Sequence, residues 1–373
     1  MSDPDRSSLE AVESDDERYM DEALGLAERA RGETSPNPMV GAVVVSPRGV
    51  VVGSGFHERA GAPHAEVRAL DAASAQASGA TLYSTLEPCC HVGRTGPCTE
   101  RIIAAGVRRV VIGVVDPNPR VSGSGIAYLR GRGLQVDVGI RHRRASRLNE
   151  VFITWVTSGR PFVTMKVAMS RDGKIAAGAG LRTAITSEES DRVIHRVRAE
   201  VDAIGVGSET VLVDDPQLTV RGHERARPLT RVVFDRRLRT PPDARLVRTI
   251  GQGPVLVVTS EEAVAARPDA ADQLRSRGVG VEVLGDHRLS SALRRLGELE
   301  VTSLVLEGGS GIHRAAWREG LVDRVHRFRA PIEFGNEGVP WIDDEVIVED
   351  LLDLRVETHG PDEFTEGYVQ RVD

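Results

Sequence analysis

Cysteine is scarce in this 373-residue chain: there are three, all between positions 89 and 98. Disulfide scaffolds spread cysteines through a small secreted chain, so the clustering excludes that class and favours a metal site. Aromatic residues make up only 4%, too few for the stacking platforms that hold single-stranded nucleic acid. No long basic run is present, and the formal net charge is −7, whereas phosphate-backbone binders are basic on at least one face. No segment approaches the roughly 18 consecutive apolar residues of a membrane span. The opening MSDPDRSSLEAVESDDER is acidic and lacks an apolar stretch, which predicts neither a signal nor a transit peptide. It reads as a disordered acidic lead over 1–17. These absences predict a cytoplasmic protein whose partners are small molecules, not nucleic acid or membrane.

Hydrophobic residues reach 40% and charged residues 28%, enough for a sizeable core, and the length predicts two domains. Met20, Ala23, Leu24 and Ala27 recur at helical spacing, with Asp15 or Asp16 as the expected cap. VGAVVVSPRGVVVGSG reads as two strands around a Ser-Pro-Arg-Gly turn. Helices over about 64–77 and 98–105 alternate with strands over 81–85, 109–115 and 134–138, a pattern that predicts an α/β sandwich around a central sheet. Ser158-Gly159-Arg160-Pro161 marks the expected junction, dividing a domain over 18–158 from one over 159–373. Beyond it, PFVTMKVAM, 201–206, RVVF, PVLVVT, 279–284 and SLVLEGG read as strands with helices between. They predict a second doubly wound α/β domain with a twisted mixed sheet.

The chemistry concentrates in the first domain. His64-Ala65-Glu66 opens a predicted helix, and Pro88-Cys89-Cys90 follows a predicted strand, with Cys98 preceded by Pro97. One imidazole and two thiolates make a three-ligand set, and catalytic zinc keeps its fourth position for water. The ion lowers that water's pKa toward about 7. Deamination also needs a carboxylate to carry protons to the ring nitrogen and the departing ammonia. Glu66, two residues past His64, can face such a water without ligating. H-x-E followed by P-C is the signature of zinc nucleobase deaminases, with the Glu as the acid/base. Here the second cysteine falls at Cys89-x8-Cys98 rather than x2. Cys90 is expected to be a bystander. A structural zinc would want four protein ligands, and His91 is the one fourth candidate at motif spacing.

PNPMVGAVVV, then GFH, AGAPHAEVRAL, TLEPCCHVGRTGPC and IIAAGVRRVVIGVVDPNPRVSGSGI together resemble the deaminase half of the bifunctional riboflavin-biosynthesis deaminase/reductase family. PFVTMKVAMSRDGKIA, ITSEES, RAEVDAIGVGSETVLVDDPQLTVR and LVLEGGSGIHRAAWREGLVD are similar to that family's NADPH-dependent reductase half. The resemblance implies a cytidine-deaminase-like three-layer α/β/α domain followed by a dihydrofolate-reductase-like α/β domain. It implies a pyrimidine ribosyl phosphate as substrate, with zinc and NADPH as cofactors. Asn37 and His57 match positions on the pyrimidine. Lys166, Arg198, Leu218, Arg221 and Glu307 match reductase substrate positions. Ala168, Thr210, Asp214 and the Gly308-Gly309-Ser310-Gly311 turn match positions on the dinucleotide. Such a turn lets backbone N–H groups meet a pyrophosphate at a helix start.

The chain departs from that pattern in places. Arg182 stands for a small hydroxyl residue and Ala184 for an aromatic, Arg236 falls where serine is common, and RAPIEFGNEGVP replaces the usual A-P-x-L-L-G-G. A second reading therefore keeps the deaminase but gives the C-terminal domain no reductase activity, which absence of NADPH turnover would support. A third, a nucleic-acid-editing protein, predicts salt-sensitive RNA binding. Oligomeric state is open, with a homo-oligomer among the alternatives.

Overall fold

The computed structural model describes residues 14–90, 96–119, 121–225, 227–342 and 345–369. By packing, the chain forms two compact units, Met1–Asn149 and Glu150–Asp373.

In the first unit the elements run α1 (Asp15–Glu28), β1 (Gly41–Val45), β2 (Val51–Phe56), α2 (Ala65–Ala73), β3 (Thr81–Leu86), α3 (Cys98–Ala104), β4 (Arg109–Val114), α4 (Ser124–Gly131), β5 (Gln135–Val138) and α5 (His142–Leu148). The helix α1 begins inside the stretch expected to be disordered, and its cap is neither Asp15 nor Asp16. Ser14 Oγ accepts from the Glu17 N–H at 3.3 Å while the Glu17 carboxylate accepts from the Ser14 N–H at 3.1 Å, a reciprocal capping box. Residues 1–13 of the expected lead lie outside the described residues. The sheet order is β2-β1-β3-β4-β5, with β1 antiparallel to β2 and β3, and β3, β4 and β5 parallel. Two glycines show how closely helices press on its two faces. A Cβ at Gly41 would stand 1.9 Å from Ala23 O of α1, and one at Gly53 2.2 Å from Ala69 O of α2. Gly41 and Gly53 point to opposite sides, because Gly41 pairs with Phe56 and side-chain direction alternates along a strand. The result is the expected three-layer α/β/α unit.

The second unit runs α6 (Glu150–Ser158), β6 (Phe162–Ser170), β7 (Lys174–Ala176), α7 (Glu188–Glu200), β8 (Ala203–Gly207), α8 (Ser208–Asp214), β9 (Thr230–Phe234), α9 (Arg245–Arg248), β10 (Val255–Ser260), α10 (Glu261–Ala266), α11 (Pro268–Ser276), β11 (Gly280–Leu284), α12 (Leu289–Glu298), β12 (Ser303–Glu307), α13 (Ser310–Arg318), β13 (Arg324–Ala330), β14 (Val339–Pro340), β15 (Leu352–His359) and β16 (Asp362–Tyr368). The packing boundary falls before α6, nine residues earlier than the expected junction, and side chains explain why. Glu150 accepts from Arg324 of β13 at 3.2 Å, and Trp155 Nε1 donates to Gly297 O at 2.9 Å. The main sheet has nine strands in the order β11-β10-β9-β8-β12-β6-β13-β16-β15. From β11 to β13 neighbours are parallel; β16 and β15 add antiparallel. The mixed sheet is as expected, but β13, β15 and β16 were not read from the sequence. Alternation along β12 serves two cores: Leu304 and Leu306 join the cluster with Met165, Leu293 and Val325, while Val305 joins Ile204, Val233 and Val257.

Arg231 in β9 is almost wholly buried, at 1% exposure. Its guanidinium donates to Leu246 O at 3.0 Å, Thr249 Oγ1 at 2.9 Å, Thr249 O at 3.0 Å, Gln217 O at 3.4 Å and Gly253 O. It thereby satisfies carbonyls at the end of α9 and in the loops beside it. Among the described residues, no helix is long and apolar enough to cross a membrane.

Candidate active sites

His64 is the N-cap of α2, at φ −68° and ψ 158°, so its ring sits where chain direction changes. Cys89 follows β3, and Cys98 begins α3. His64 Nδ1 and the two sulfurs lie within 4.8 Å of one another. The His64 Nδ1–Cys98 Sγ distance is 3.2 Å and the His64 Nδ1–Cys89 Sγ distance 3.6 Å. A tetrahedral zinc with bonds of about 2.0–2.3 Å needs its donors that close, and the N/S/S donor set suits that ion. The Cys98 N–H donates to Cys89 Sγ at 3.4 Å and the Thr99 N–H to Cys89 O at 3.2 Å, which ties the β3 end to α3. Hydrogen bonds from Cys98 and then His64 outweigh burial and pull the Cys89 thiol down to about 4. The same sharing pushes Cys98 up. His91, the fourth-ligand candidate, lies outside the described residues.

Glu66 sits in the first turn of α2 and is buried, at 3% exposure. Burial, reinforced by Cys89, lifts its carboxyl to about 7. A carboxyl near neutrality can both accept and return a proton. The pair expected on the pyrimidine is also here: Asn37 Nδ2 lies 3.0 Å from His57 Nε2, and the His57 ring stands edge-on to His64 with centroids 5.5 Å apart. His57 Nδ1 meets Pro63 O at 3.2 Å, so His57 donates through Nδ1 and presents Nε2 as an acceptor to Asn37. Burial holds the ring's pKa down, which favours that neutral tautomer.

Sequence reasoning missed Glu87, which is buried at 3% exposure. Its Oε2 accepts from the N–H groups of Asp116 at 3.1 Å and Gly123 at 2.9 Å; its Oε1 accepts from Gly125 at 2.9 Å and Ile126 at 3.1 Å. The carboxylate thus caps α4 from another element and fixes the loop after β4 beside Cys89. Gly125 is pressed so close that a Cβ there would stand 2.2 Å from Pro88 O. The signal was present as an acidic residue inside a buried strand end, TLEP, with no basic partner nearby in sequence.

In the second unit the expected substrate residues converge. Arg198 of α7 makes a bidentate pair with Glu307 at 2.7 and 2.8 Å and donates to Thr219 O at 3.2 Å. Lys166 Nζ lies 3.8 Å from Glu307, its partner in register across β6 and β12. Burial raises the Glu307 carboxyl, but Arg198 and then Lys166 outweigh it and hold the group at about 2. The Arg221 N–H donates to His195 Nδ1 at 3.2 Å, and Leu218 is held at φ +55°. Ala168, matched to the dinucleotide, packs with Ile194, Phe328 and Phe364. Gly308 lies beside Thr210, whose Oγ1 would be 3.7 Å from a Cβ there, and beside Gly207 N at 3.6 Å. Asp214 is raised by burial and opposed by the charge of Arg182, so that departure from the family pattern stands near an expected cofactor residue. Unforeseen was His313 of α13. Its Nε2 meets Leu306 O at 3.1 Å, and its Nδ1 accepts from Trp341 at 2.8 Å. Burial drops its pKa to about 4, so a neutral imidazole pins the helix that follows the Gly308–Gly311 turn.

Residues 13–114 match the family model for the cytidine and deoxycytidylate deaminase zinc-binding region, and residues 161–369 match that for the RibD C-terminal domain. The chain is therefore a two-chemistry enzyme, a zinc-dependent deaminase joined to an NADPH-dependent reductase. Riboflavin biosynthesis protein RibD of Aquifex aeolicus is 43% identical over 339 residues, covering 89% of this chain and 93% of that one. RibD of Escherichia coli K12 is 39% identical over 334 residues, covering 86% and 89%. Among solved structures, Acinetobacter baumannii RibD aligns with a TM-score of 0.82 at 34% identity, over 95% of this chain and 98% of that one. A Thermotoga maritima diaminohydroxyphosphoribosylaminopyrimidine deaminase/5-amino-6-(5-phosphoribosylamino)uracil reductase aligns with a TM-score of 0.80 at 37% identity, again over 95% and 98%. The chain belongs to the RibD family of riboflavin-biosynthesis proteins.

Proposed function

We propose that the first unit hydrolyses the exocyclic amine of 2,5-diamino-6-ribosylamino-4(3H)-pyrimidinone 5′-phosphate, and that the second then reduces the ribosyl group to ribityl. The observation that carries this reading is the carboxyl of Glu66, buried beside the His64–Cys89–Cys98 triad. His64, Cys89 and Cys98 would hold zinc, which would supply the Lewis acidity that makes water a nucleophile at neutral pH. Glu66 would carry one proton of the attacking water to the ring nitrogen and the second, from the hydroxyl left on the ring carbon, to the departing amine. Asn37 orients the pyrimidine, with its amide fixed by His57.

In the second unit, Lys166, Arg198, Leu218, Arg221 and Glu307 line the ribosyl-phosphate site. Ala168, Thr210, Asp214 and Gly308, Gly309, Ser310 and Gly311 serve NADPH. Hydride transfer asks chiefly that the cofactor be held against C1′, so the Glu307–Arg198–Lys166 cluster acts by positioning. We assign the deaminase to the chain before the packing boundary at Asn149 and the reductase to the chain after it. The enzyme works in the cytoplasm on small molecules, without a nucleic-acid or membrane partner, and light scattering tests assembly into a homo-oligomer.

The deciding experiment follows ammonia release and NADPH oxidation together on the diaminopyrimidine ribosyl phosphate with zinc-loaded protein. Equal amounts support both assignments. Ammonia without NADPH oxidation would mean that Arg182, Ala184 and Arg236 mark a C-terminal unit that has lost this chemistry.

A further inference from the structure

A cavity of about 620 Å³ opens at the amino ends of β9 and β10, against the 218–220 segment. The Gly308–Gly311 turn follows the carboxyl end of β12, and β12, β8, β9 and β10 all run parallel. The cavity therefore lies at the opposite edge of the sheet from that turn. Open α/β sheets take their ligands at the carboxyl ends, and the hydride chemistry proposed above belongs to that other edge.

The lining is one-sided in charge. Arg225, Arg227 and Arg231 contribute to the wall, and among the described residues no carboxylate does. Arg231 is the most deeply placed, at 1% exposure. Its acceptors are the carbonyls of Gln217, Leu246, Thr249 and Gly253 and the Thr249 hydroxyl, none of them an anion. Burial, with no acid to oppose it, holds its pKa below the ordinary arginine value. Its Nε, like the Nε of Arg227, is buried with no hydrogen-bond partner. Arg227 does pair with Asp202 at 2.6 Å, but that carboxylate is shared with the Thr302 N–H at 2.8 Å and hydroxyl at 2.7 Å. A buried guanidinium without a counter-ion is costly, and a buried donor without an acceptor adds to the cost. The rest of the wall is largely apolar, with Leu218, Val220, Leu229, Ile250 and Pro254.

An oxyanion against the guanidiniums would offset the charge that the protein leaves unbalanced, and an apolar body would cover the remaining wall. We infer that this cavity is an effector site for a small organic anion, a carboxylate or phosphate ester on an apolar body, that is neither substrate nor cofactor. The 218–220 segment links it to the reductase, because Thr219 O accepts from Arg198 at 3.2 Å and Arg198 in turn holds Glu307. That link rests on the reading of Arg198 and Glu307 as substrate residues, whereas binding in the cavity does not.

The test is calorimetric titration of the full-length protein with benzoate, phenyl phosphate and neutral benzamide, with NADPH and ribose 5-phosphate present to fill the reductase's own sites. Benzamide should bind at least about tenfold more weakly than either anion, the margin of one charge-assisted contact. Gly251 lines the cavity, and a Cβ there meets nothing within 4 Å. Gly251→Glu and Gly251→Gln should therefore both fold, which thermal melting verifies. The two differ by one charge, so Gly251→Glu should bind the anions at least about tenfold more weakly than Gly251→Gln. Wild-type crystals soaked in 4-bromobenzoate give a reading that needs no variant, with the bromine's anomalous signal expected in this cavity. Equal anion affinity in the two variants, or bromine only at other places, overturns the site. Benzamide binding as tightly as benzoate overturns its anionic class. Anions that bind here yet leave reductase KM and kcat unchanged overturn the link through Thr219 and Arg198. An inactive reductase overturns the reading beneath that link and leaves the calorimetry to decide the site.

Discussion

Replacing Glu87 by glutamine changes one atom and keeps the shape, yet it should cost the first unit much of its stability. The two carboxylate oxygens accept four backbone N–H groups, two each, from Asp116, Gly123, Gly125 and Ile126. Whichever way the amide turns, one oxygen becomes an NH₂ that faces two donors. Two of the four bonds are then lost, and two N–H groups are left without an acceptor. An unsatisfied buried donor costs about 1–3 kcal/mol, so Glu87→Gln should destabilise by about 2–6 kcal/mol. That is a large share of the roughly 5–15 kcal/mol by which a domain is stable. Because Pro88 and Cys89 follow directly, zinc should also be held less tightly. The assay is urea unfolding of the full-length protein at fixed zinc, with a chelator competition for the metal. A Glu87→Gln protein whose urea midpoint and zinc affinity both equal the wild type's would refute the reasoning, because the four-acceptor role would then carry no energy.

Glu66→Gln should lower deamination by about 10²–10⁴-fold while zinc content by mass spectrometry stays at one per chain; equal deaminase rates would remove Glu66 from proton transfer. Cys89→Ser and Cys98→Ser should each strip the metal, whereas Cys90→Ser should retain it; zinc loss from the Cys90 variant would mean that the ligand set was misassigned. Removing zinc with a chelator should lower the melting temperature of the first unit, since an ion that binds only the folded form stabilises it by mass action. Glu307 titrates at about 2 in the fold, below the roughly 4.3 of a free glutamate. Its contribution to stability is therefore complete above pH 4.3 and drains away as pH falls toward 2. Glu307→Gln should flatten that acid limb in urea midpoints taken from pH 5 to pH 2, and an unchanged limb would show that Arg198 and Lys166 do not set this pKa.

What the sequence revealed and what it withheld divide along a physical line. Metal chemistry dictates residue type over a short stretch of chain, so His64, Glu66, Cys89 and Cys98 could be read directly; His64, Cys89 and Cys98 do come together, with Glu66 beside them. Glu87 left only the sign of an acid at a strand end with no basic partner nearby, because its partners are backbone groups 29 to 39 residues away, and backbone donors leave no mark on residue identity. The same holds for α4, which that carboxylate caps. The α1 cap was misplaced by one or two positions since Ser14, Asp15 and Asp16 are all good capping residues, and the choice falls to the residue whose third successor is Glu17. The strand β13 hid because RVHRFRA looks solvated, yet Arg324 is paired with Glu150 at 3.2 Å and His326 with Glu366 at 2.8 Å. Paired charges can be buried where lone ones cannot. The expected junction at Ser158–Pro161 followed turn residues, whereas packing follows Glu150 and Trp155.

Arg231 has a consequence of a different kind. Carbonyls left over at the end of α9 and in its flanking loops would ordinarily be wetted, and wetting them would carry solvent between β9 and the 246–253 segment. One guanidinium, with its donors fanned in a plane, stands in for several waters at once. It works as a solid-state replacement for a hydration shell, without any anion to balance it among its hydrogen-bond partners. Lysine offers three donors on a single point and amides fewer acceptor-facing hydrogens, so no other side chain can fill the same outline. Any exchange there would trade a rigid seam for a channel of exchangeable water, visible as amide protons of β9 and β10 that swap with deuterium on a timescale of local breathing rather than global unfolding.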